Sequence, residues 1–267
     1  MKAQDLRKHS YLGWRGFWLV AQGEGRALLR NHGLIISQLL EPFLYVVFLV
    51  IGLNQEIGLI KFGQKIISYA HYAIVGMLGV LVITQATQTI YRATIDKRYG
   101  LMALKMLSGV SPLAYILGMM TMPTIGLILQ ELLVFLLAAL FGVSFPGFVY
   151  PLLLLGSWLI CLFWSALAIL ATIGINSYEK RDLLIRFILT PLGFTAPTFY
   201  ILSSVPQFVQ VIAYCNPLTY QLTALRRLAF EYKLAGPLSL LGGVALLTIL
   251  GVTHLIGQLP LVLGERN

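Results

Sequence analysis

Charge is scarce in this sequence: Asp, Glu, Lys and Arg make up 11% of its 267 residues, against about 25% in soluble domains. Apolar residues reach 58%, and mean hydropathy is +0.83. So little polar surface excludes a water-soluble globular enzyme. Low-complexity tracts, a Gly-X-Y period and sustained charged heptads are also lacking, which removes disorder, collagen and coiled coil. Cysteine is nearly absent. Cys161 falls in an apolar run and Cys215 in a predicted loop, with neither C-x-x-C nor metal-ligand spacing, so two unpaired structural thiols and no metal site are expected. No G-x-x-x-x-G-K-[ST] loop occurs, so the chain is not expected to bind or hydrolyse ATP by itself. H-E-x-x-H, G-x-S-x-G and G-x-G-x-x-G are missing too, and His9, His32, His71 and His254 are scattered without ligand spacing. No enzyme active site or catalytic residue follows from these patterns. A secretory leader is not expected either, because residues 1–33 carry charge throughout and their longest apolar stretch, Phe17 to Ala21, is too short.

Long apolar runs are what the sequence has instead. Six reach the ~20 residues needed to cross a bilayer: Leu34–Leu53, Ile66–Ile90, Leu113–Phe141, Tyr150–Ile175, Leu183–Leu202 and Leu238–Leu259. In lipid every backbone N–H and C=O must be satisfied within the segment, and these lengths are wrong for barrel strands. The expected fold is therefore an all-α integral membrane protein with six transmembrane helices. A cytoplasmic interface segment, 1–33, precedes a six-helix domain, 34–267.

Lys and Arg distribute unevenly between the two sides. The N-terminal segment carries six, the 91–112 loop four, the 176–182 loop with Arg186 three, and the tail one, fourteen in all on one face. The other face carries five, two in 54–65 and three in 203–237. Basic residues accumulate in cytoplasmic loops, so both termini are expected inside. The net charge of +9 thus reads as a topology determinant, and nucleic acid is not an expected partner.

Within 1–33, Trp14, Phe17, Trp18, Ala21, Gly25, Leu28 and Leu29 recur at helical spacing, while Arg15, Gln22, Arg26 and Arg30 take the other faces. A basic, Trp-bearing amphipathic helix of this kind belongs in the cytoplasmic headgroup layer, with Trp14, Phe17, Trp18 and Arg26 as its interfacial residues. Packing on the bundle is the other use of such a helix, and the two are compatible. At the far side, Pro206, Pro217 and Pro237 interrupt two half-length apolar pieces between the fifth and sixth runs. They predict an outer re-entrant helical hairpin.

Charges inside a span cost about 2.5–3.5 kcal/mol each at its centre and are functional candidates by default. Glu131 lies mid-way along the third run beside Gln130, and Glu41 precedes Pro42 in the first. Glu131 is open between a hydrogen bond inside the bundle and a role in a substrate path or subunit interface. Glu41 is open between a functional role and a contact with the basic N-terminal helix. The 91–112 loop is the best partner-binding candidate. Asp96, Lys97 and Arg98 lead through Gly100 into a short helix with apolar Leu101, Leu104 and Leu107, closed by Gly109 and Pro112. A plain connector needs no such apolar face.

Taken in order along the chain, these features resemble the permease of an ABC-2 type exporter, in the branch that moves lipo-oligosaccharides, polysaccharides and drugs. The local matches are Gly100 with Ser111-Pro112 in the first cytoplasmic loop, and Glu41-Pro42-Phe43-Leu44-Tyr45 in the first span. The outer segment adds Pro206, Asn216-Pro217-Leu218-Thr219 and Ala224-Leu225-Arg226. The resemblance implies that 97–108 is a coupling helix docking on a separate ABC ATP-binding subunit, which binds ATP and Mg. Two permease copies, most simply a homodimer, and two ATPases would form the transporter in the inner membrane of a bacterium, in contact with membrane lipid. The outer hairpin, with Pro206, Asn216, Pro217 and Arg226, would gate the exit. Tyr99 and Leu101 stand beside Gly100, where the family often has an acidic residue and a Thr. The expected cargo is an amphipathic molecule: a lipid-linked saccharide, a lipid or a hydrophobic drug. The alternative is a stand-alone secondary carrier or intramembrane enzyme.

Overall fold

The computed structural model describes residues 12–232 and 235–264. The predicted basic residues Lys2, Arg7, Lys8, Lys233 and Arg266, and also His9, lie outside them. The structure is 83% helical, and among the described residues five helices are long and apolar enough to cross a membrane. Helix α1, Gly13–Arg30, comes first, and Asn31 ends it. The Asn31 side chain then accepts from the Leu34 amide and so starts the next helix, as an N-cap does. That next helix is α2, His32–Ile57. A tight hairpin of β1, Leu59–Phe62, and β2, Lys65–Ser68, follows, with Phe62 opposite Lys65. This short hairpin interrupts a chain that is otherwise consistent with the all-α expectation, and it displaces the start of the second span from Ile66 to Tyr69. Its last residue, Ser68, caps α3, Tyr69–Arg98.

Helix α3 is the axis of the molecule. Nearly all of its residues from Tyr69 to Ala86 are buried, and the helix runs through Arg98, eight residues past the predicted end of the span at Ile90. Gly100, in the left-handed conformation (φ +71°), turns the chain into α4, Leu101–Leu107. Gly109 (φ +93°) closes α4, and Ser111 and Pro112 then open α5, Pro112–Leu140. This Gly-stop, Ser-cap, Pro-start order follows from which residues tolerate each terminal geometry. Helix α6, Val149–Ile173, returns across the bundle.

The fifth predicted run does not form one uninterrupted apolar helix. Helix α7 covers residues 178–195, with a π-helical stretch at Ile185–Leu189, and the backbone leaves the helix at Ala196. Glu179, Lys180, Arg181, Asp182 and Arg186 make its first part polar. The break at 196–201 follows Pro197, whose ring disfavours helix at the residue before it. Two short helices follow, α8, Gln207–Cys215, and α9, Pro217–Phe230. Helix α10, Ala235–Gly264, ends the described chain.

Two close approaches fix this arrangement. A Cβ on Gly76 of α3 would lie 1.8 Å from the Thr198 carbonyl oxygen, so only glycine lets 196–201 cross there. On Gly118 of α5 it would lie 2.6 Å from Val20, so α1 packs directly on α5. Pro42, inside α2, offers no N–H to the carbonyl of Gln38 four residues back. Gln130 of α5 supplies that bond at 2.7 Å, and Gln85 of α3 donates to Gln130 at 2.8 Å. Three helices are thereby joined by two side-chain amides around one proline.

Candidate coupling site and outer segment

The short helix α4 presents two faces. Met102 and Met106 are buried against the bundle, while Leu101, Leu104 and Leu107 are 39%, 60% and 48% exposed. Spaced three apart, these leucines form one row, and Arg98 and Tyr99 stand exposed beside it. It is an exposed apolar row on a helix too short to span a membrane.

Behind that row lies a charge cluster. Glu24 of α1 accepts from Arg92 Nε at 2.8 Å and pairs with Arg92 Nη2 at 2.5 Å; its other oxygen is 3.4 Å from Lys105 Nζ. Lys105, on α4, donates to Asp96 at 2.5 Å, and the Tyr115 hydroxyl donates to Asp96 at 3.1 Å. Glu24 and Asp96 are almost fully buried. In so dry a place an unpaired carboxylate would be costly, and shared cations on both sides make the pair tolerable. The cluster joins α1, α3, α4 and α5 and sets where the leucine row stands.

Two of the predicted contact residues therefore face inward. Asp96 belongs to the cluster. Lys97 donates to the carbonyls of Thr172, Ile173 and Ile175 and to Asn176 Oδ1, at 2.5–3.1 Å. It neutralises the carbonyl end of α6, where a cation is favoured. Arg98 lies over the Tyr178 ring at 4.0 Å. Gly100 shapes the turn and contributes no side chain. Sequence reasoning missed Glu24, Arg92, Lys105 and Tyr115. Glu24 carried the available signal, an acidic residue on an otherwise basic helix.

On α1 the predicted apolar stripe is divided. Gly16, Val20, Ala21 and Glu24 pack on the bundle, whereas Trp14 and Trp18 are 73% and 60% exposed, with Phe17 edge-on to both. Arg26 is exposed. One helix thus has a packed side and an outward aromatic side.

At the far end of α3 the polar groups are held differently. Asn216 caps α9 through the Leu218 amide and donates to Leu192 O at 2.7 Å and Thr195 Oγ1 at 3.0 Å. Pro206 immediately precedes α8, and Pro217 is the first residue of α9. Arg226 is buried and donates to Thr198 O at 2.9 Å and Tyr72 O at 3.4 Å, and it stacks over the Tyr72 ring at 3.5 Å. Tyr69 and Tyr72 donate to the carbonyls of Phe199 and Tyr200. Three successive carbonyls of the non-helical stretch 196–201, those of Thr198, Phe199 and Tyr200, are satisfied by this set. Trp164 of α6 also ties in, donating to Gln221 of α9 at 2.8 Å.

The intramembrane candidates separate. Gln130 joins helices around Pro42, as described. Glu131 is fully buried, and neither carboxyl oxygen has a hydrogen-bond partner among the described residues. Ser157 of α6 is near it but gives its hydroxyl proton to Leu153 O at 2.8 Å. Glu41 forms no ion pair among the described residues, so the contact expected with the basic N-terminal helix is not made there.

A family model for the ABC-2 type transporter matches residues 15–230. The chain belongs to the ABC-2 type transporter family. The match takes in α1, the charge cluster, α4 and the segment through Arg226, and ends at the last residue of α9. No curated protein matches the chain. Membership makes this ABC-2 protein a multi-pass membrane component of an ABC transporter, a permease rather than an ATPase. Permeases of the ABC-2 family work with an ABC ATP-binding subunit.

Proposed function

We propose that this ABC-2 permease is the membrane half of an exporter in a bacterial inner membrane, with both termini cytoplasmic. The exposed row Leu101, Leu104 and Leu107 carries the reading. It lies on the side with the basic excess and is held by the buried charge cluster, so force applied to the row reaches α1, α3 and α5 together. In this reading α4 docks in a cleft of a separate ATPase subunit that holds ATP and Mg. Two permeases, as a homodimer, pair with two ATPases. Helix α7 and the segment after it form the fifth of six spans, and α8 and α9 form a re-entrant hairpin at the exit. Residues 1–33 are the interface element and 34–267 the transmembrane domain. The cargo is amphipathic: a lipid-linked saccharide, a lipid or a hydrophobic drug.

Substituting Leu104→Asp and Leu107→Asp together tests this. Both side chains are already solvent-facing, so stability is expected to change by no more than about 0.5 kcal/mol each. Copurification of an ATPase and cargo-stimulated ATP hydrolysis are expected to be lost. Normal stimulation in the double variant would overturn the docking assignment.

A further inference from the structure

A cavity of about 150 Å³ lies between α2, α3 and the 190–199 segment, lined by Glu41, Tyr45, Thr84, Thr190, Phe194 and Phe199. It is separate from the coupling site, and Arg226 does not line it, although Thr198, whose carbonyl Arg226 holds, is on its wall. Three observations define its chemistry. Glu41 stands nine residues into α2, about 14 Å along the helix axis at 1.5 Å per residue, and is half-buried without an ion-pair or side-chain hydrogen-bond partner among the described residues. Tyr45 and Phe199 stack at 5.7 Å between ring centroids, 22° from parallel, and Phe194 adds a third ring. The hydroxyls of Thr84 and Thr190 make no hydrogen bond among the described residues, whereas Thr87, also on the wall, gives its proton to Ile83 O.

An intramembrane carboxylate needs a counter-charge, and aromatic faces attract cations most strongly where water is excluded. The volume lies below the ~300–1,000 Å³ of sites that enclose a drug-sized ligand whole, so it suits a headgroup whose tail lies elsewhere. We propose that this cavity binds the ammonium head of an amphipathic organic cation, with Glu41 as counter-ion, Tyr45, Phe194 and Phe199 as the aromatic wall, and Thr84 and Thr190 as hydrogen-bond partners for a polar substituent. This narrows the cargo class and rests on the permease reading.

The test is equilibrium binding of radiolabelled benzyltrimethylammonium to the purified full chain, with neopentylbenzene as competitor. The competitor has the same shape with carbon in place of the charged nitrogen. Saturable binding is expected, with the neutral isostere competing at least tenfold more weakly than unlabelled cation. Glu41→Gln is expected to weaken binding at least tenfold, and Glu56→Gln, an exposed carboxylate at the other end of α2, less than twofold. No saturable binding, equal competition by the isostere, or unchanged binding in Glu41→Gln would each overturn the proposal. The comparison of cation with isostere uses only the unmodified chain, so it stands even if Glu41→Gln does not fold. The assay needs no ATP hydrolysis. Absent cation binding with normal ATPase copurification would remove the cavity assignment alone, whereas lost copurification would remove the permease reading.

Discussion

The two ends of α3 solve one problem, holding charge in a dry place, by opposite means. Tyr72 and Asp96 are 24 residues apart on the same helix, about 36 Å at 1.5 Å per residue. At the α4 end, two carboxylates and two cations from three helices pair, with Lys105 shared between Glu24 and Asp96. At the α9 end, Arg226 has no acidic partner among the described residues and is held by two backbone carbonyls and a tyrosine ring. Ion pairs tolerate small displacements, because attraction falls slowly with distance. Carbonyl bonds and a stacked ring do not, because they require alignment. The α4 end can therefore absorb a small shift without losing its pairing, whereas the α9 end holds an irregular backbone in one shape.

The sharpest way to break this contrast is at Gly76, where a methyl would overlap the Thr198 carbonyl at 1.8 Å. The obstacle is backbone, which has no rotamer by which to escape. Gly76→Ala is expected to displace 196–201, release the bonds from Arg226, Tyr69 and Tyr72, and destabilise the fold by more than about 3 kcal/mol. The measurement is thermal unfolding in detergent. A midpoint within about 2 °C of the parent would show that this segment yields readily.

A smaller effect is expected at the other end. Asp96→Asn leaves Lys105 with Glu24 as a second carboxylate, so the cluster adjusts; a loss of about 1–2 kcal/mol is expected. A double-mutant cycle of Asp96→Asn with Lys105→Met isolates the pair, with a coupling of about 1 kcal/mol expected. Lys105 is only 18% exposed in its side chain, so screening by salt should reduce that coupling only in part. A coupling near zero would mean that α4 is held by Met102 and Met106 alone, and that the cluster does not set the leucine row.

These pairs also mark the limit of what sequence conveys. Gly100, Gly109 and Pro112 declared the limits of α4 and the start of α5 because their signals are local and steric, whereas the end of α3 was expected at Ile90, eight residues early. The row Leu101, Leu104 and Leu107 was legible because its period is that of a helix. Asp96 and Lys97 were expected in the loop leading into α4, but both lie on the extended end of α3 and face inward. Nothing nearby in sequence says that Thr172 on α6 or Glu24 on α1 will meet them. The β-hairpin at 59–68 was hidden for another reason, since its Ile66 and Ile67 continue the apolar run of α3. The apolar run to Leu202 likewise gave no sign of where helix would stop, although Pro197 supplied the physical cause.

Gln130 gives the smallest effect and the finest test of how distant residues satisfy one another. Its amide serves the Gln38 carbonyl because Pro42 removed the backbone donor. Interhelical hydrogen bonds of this kind in membrane proteins average about 0.6 kcal/mol and reach about 1.7. Gln130→Leu, which also strands the Gln85 amide, is expected to destabilise by about 1 kcal/mol. Pro42→Ala restores an N–H four residues after Gln38, so the carbonyl gains a partner within its own helix. In that background Gln130→Leu is expected to cost about 0.5 kcal/mol less, as read by a double-mutant cycle of unfolding free energies. Equal penalties in both backgrounds would mean that Gln130 acts only through Gln85, and that the proline and the glutamine, 88 positions apart in the sequence, are not parts of one device.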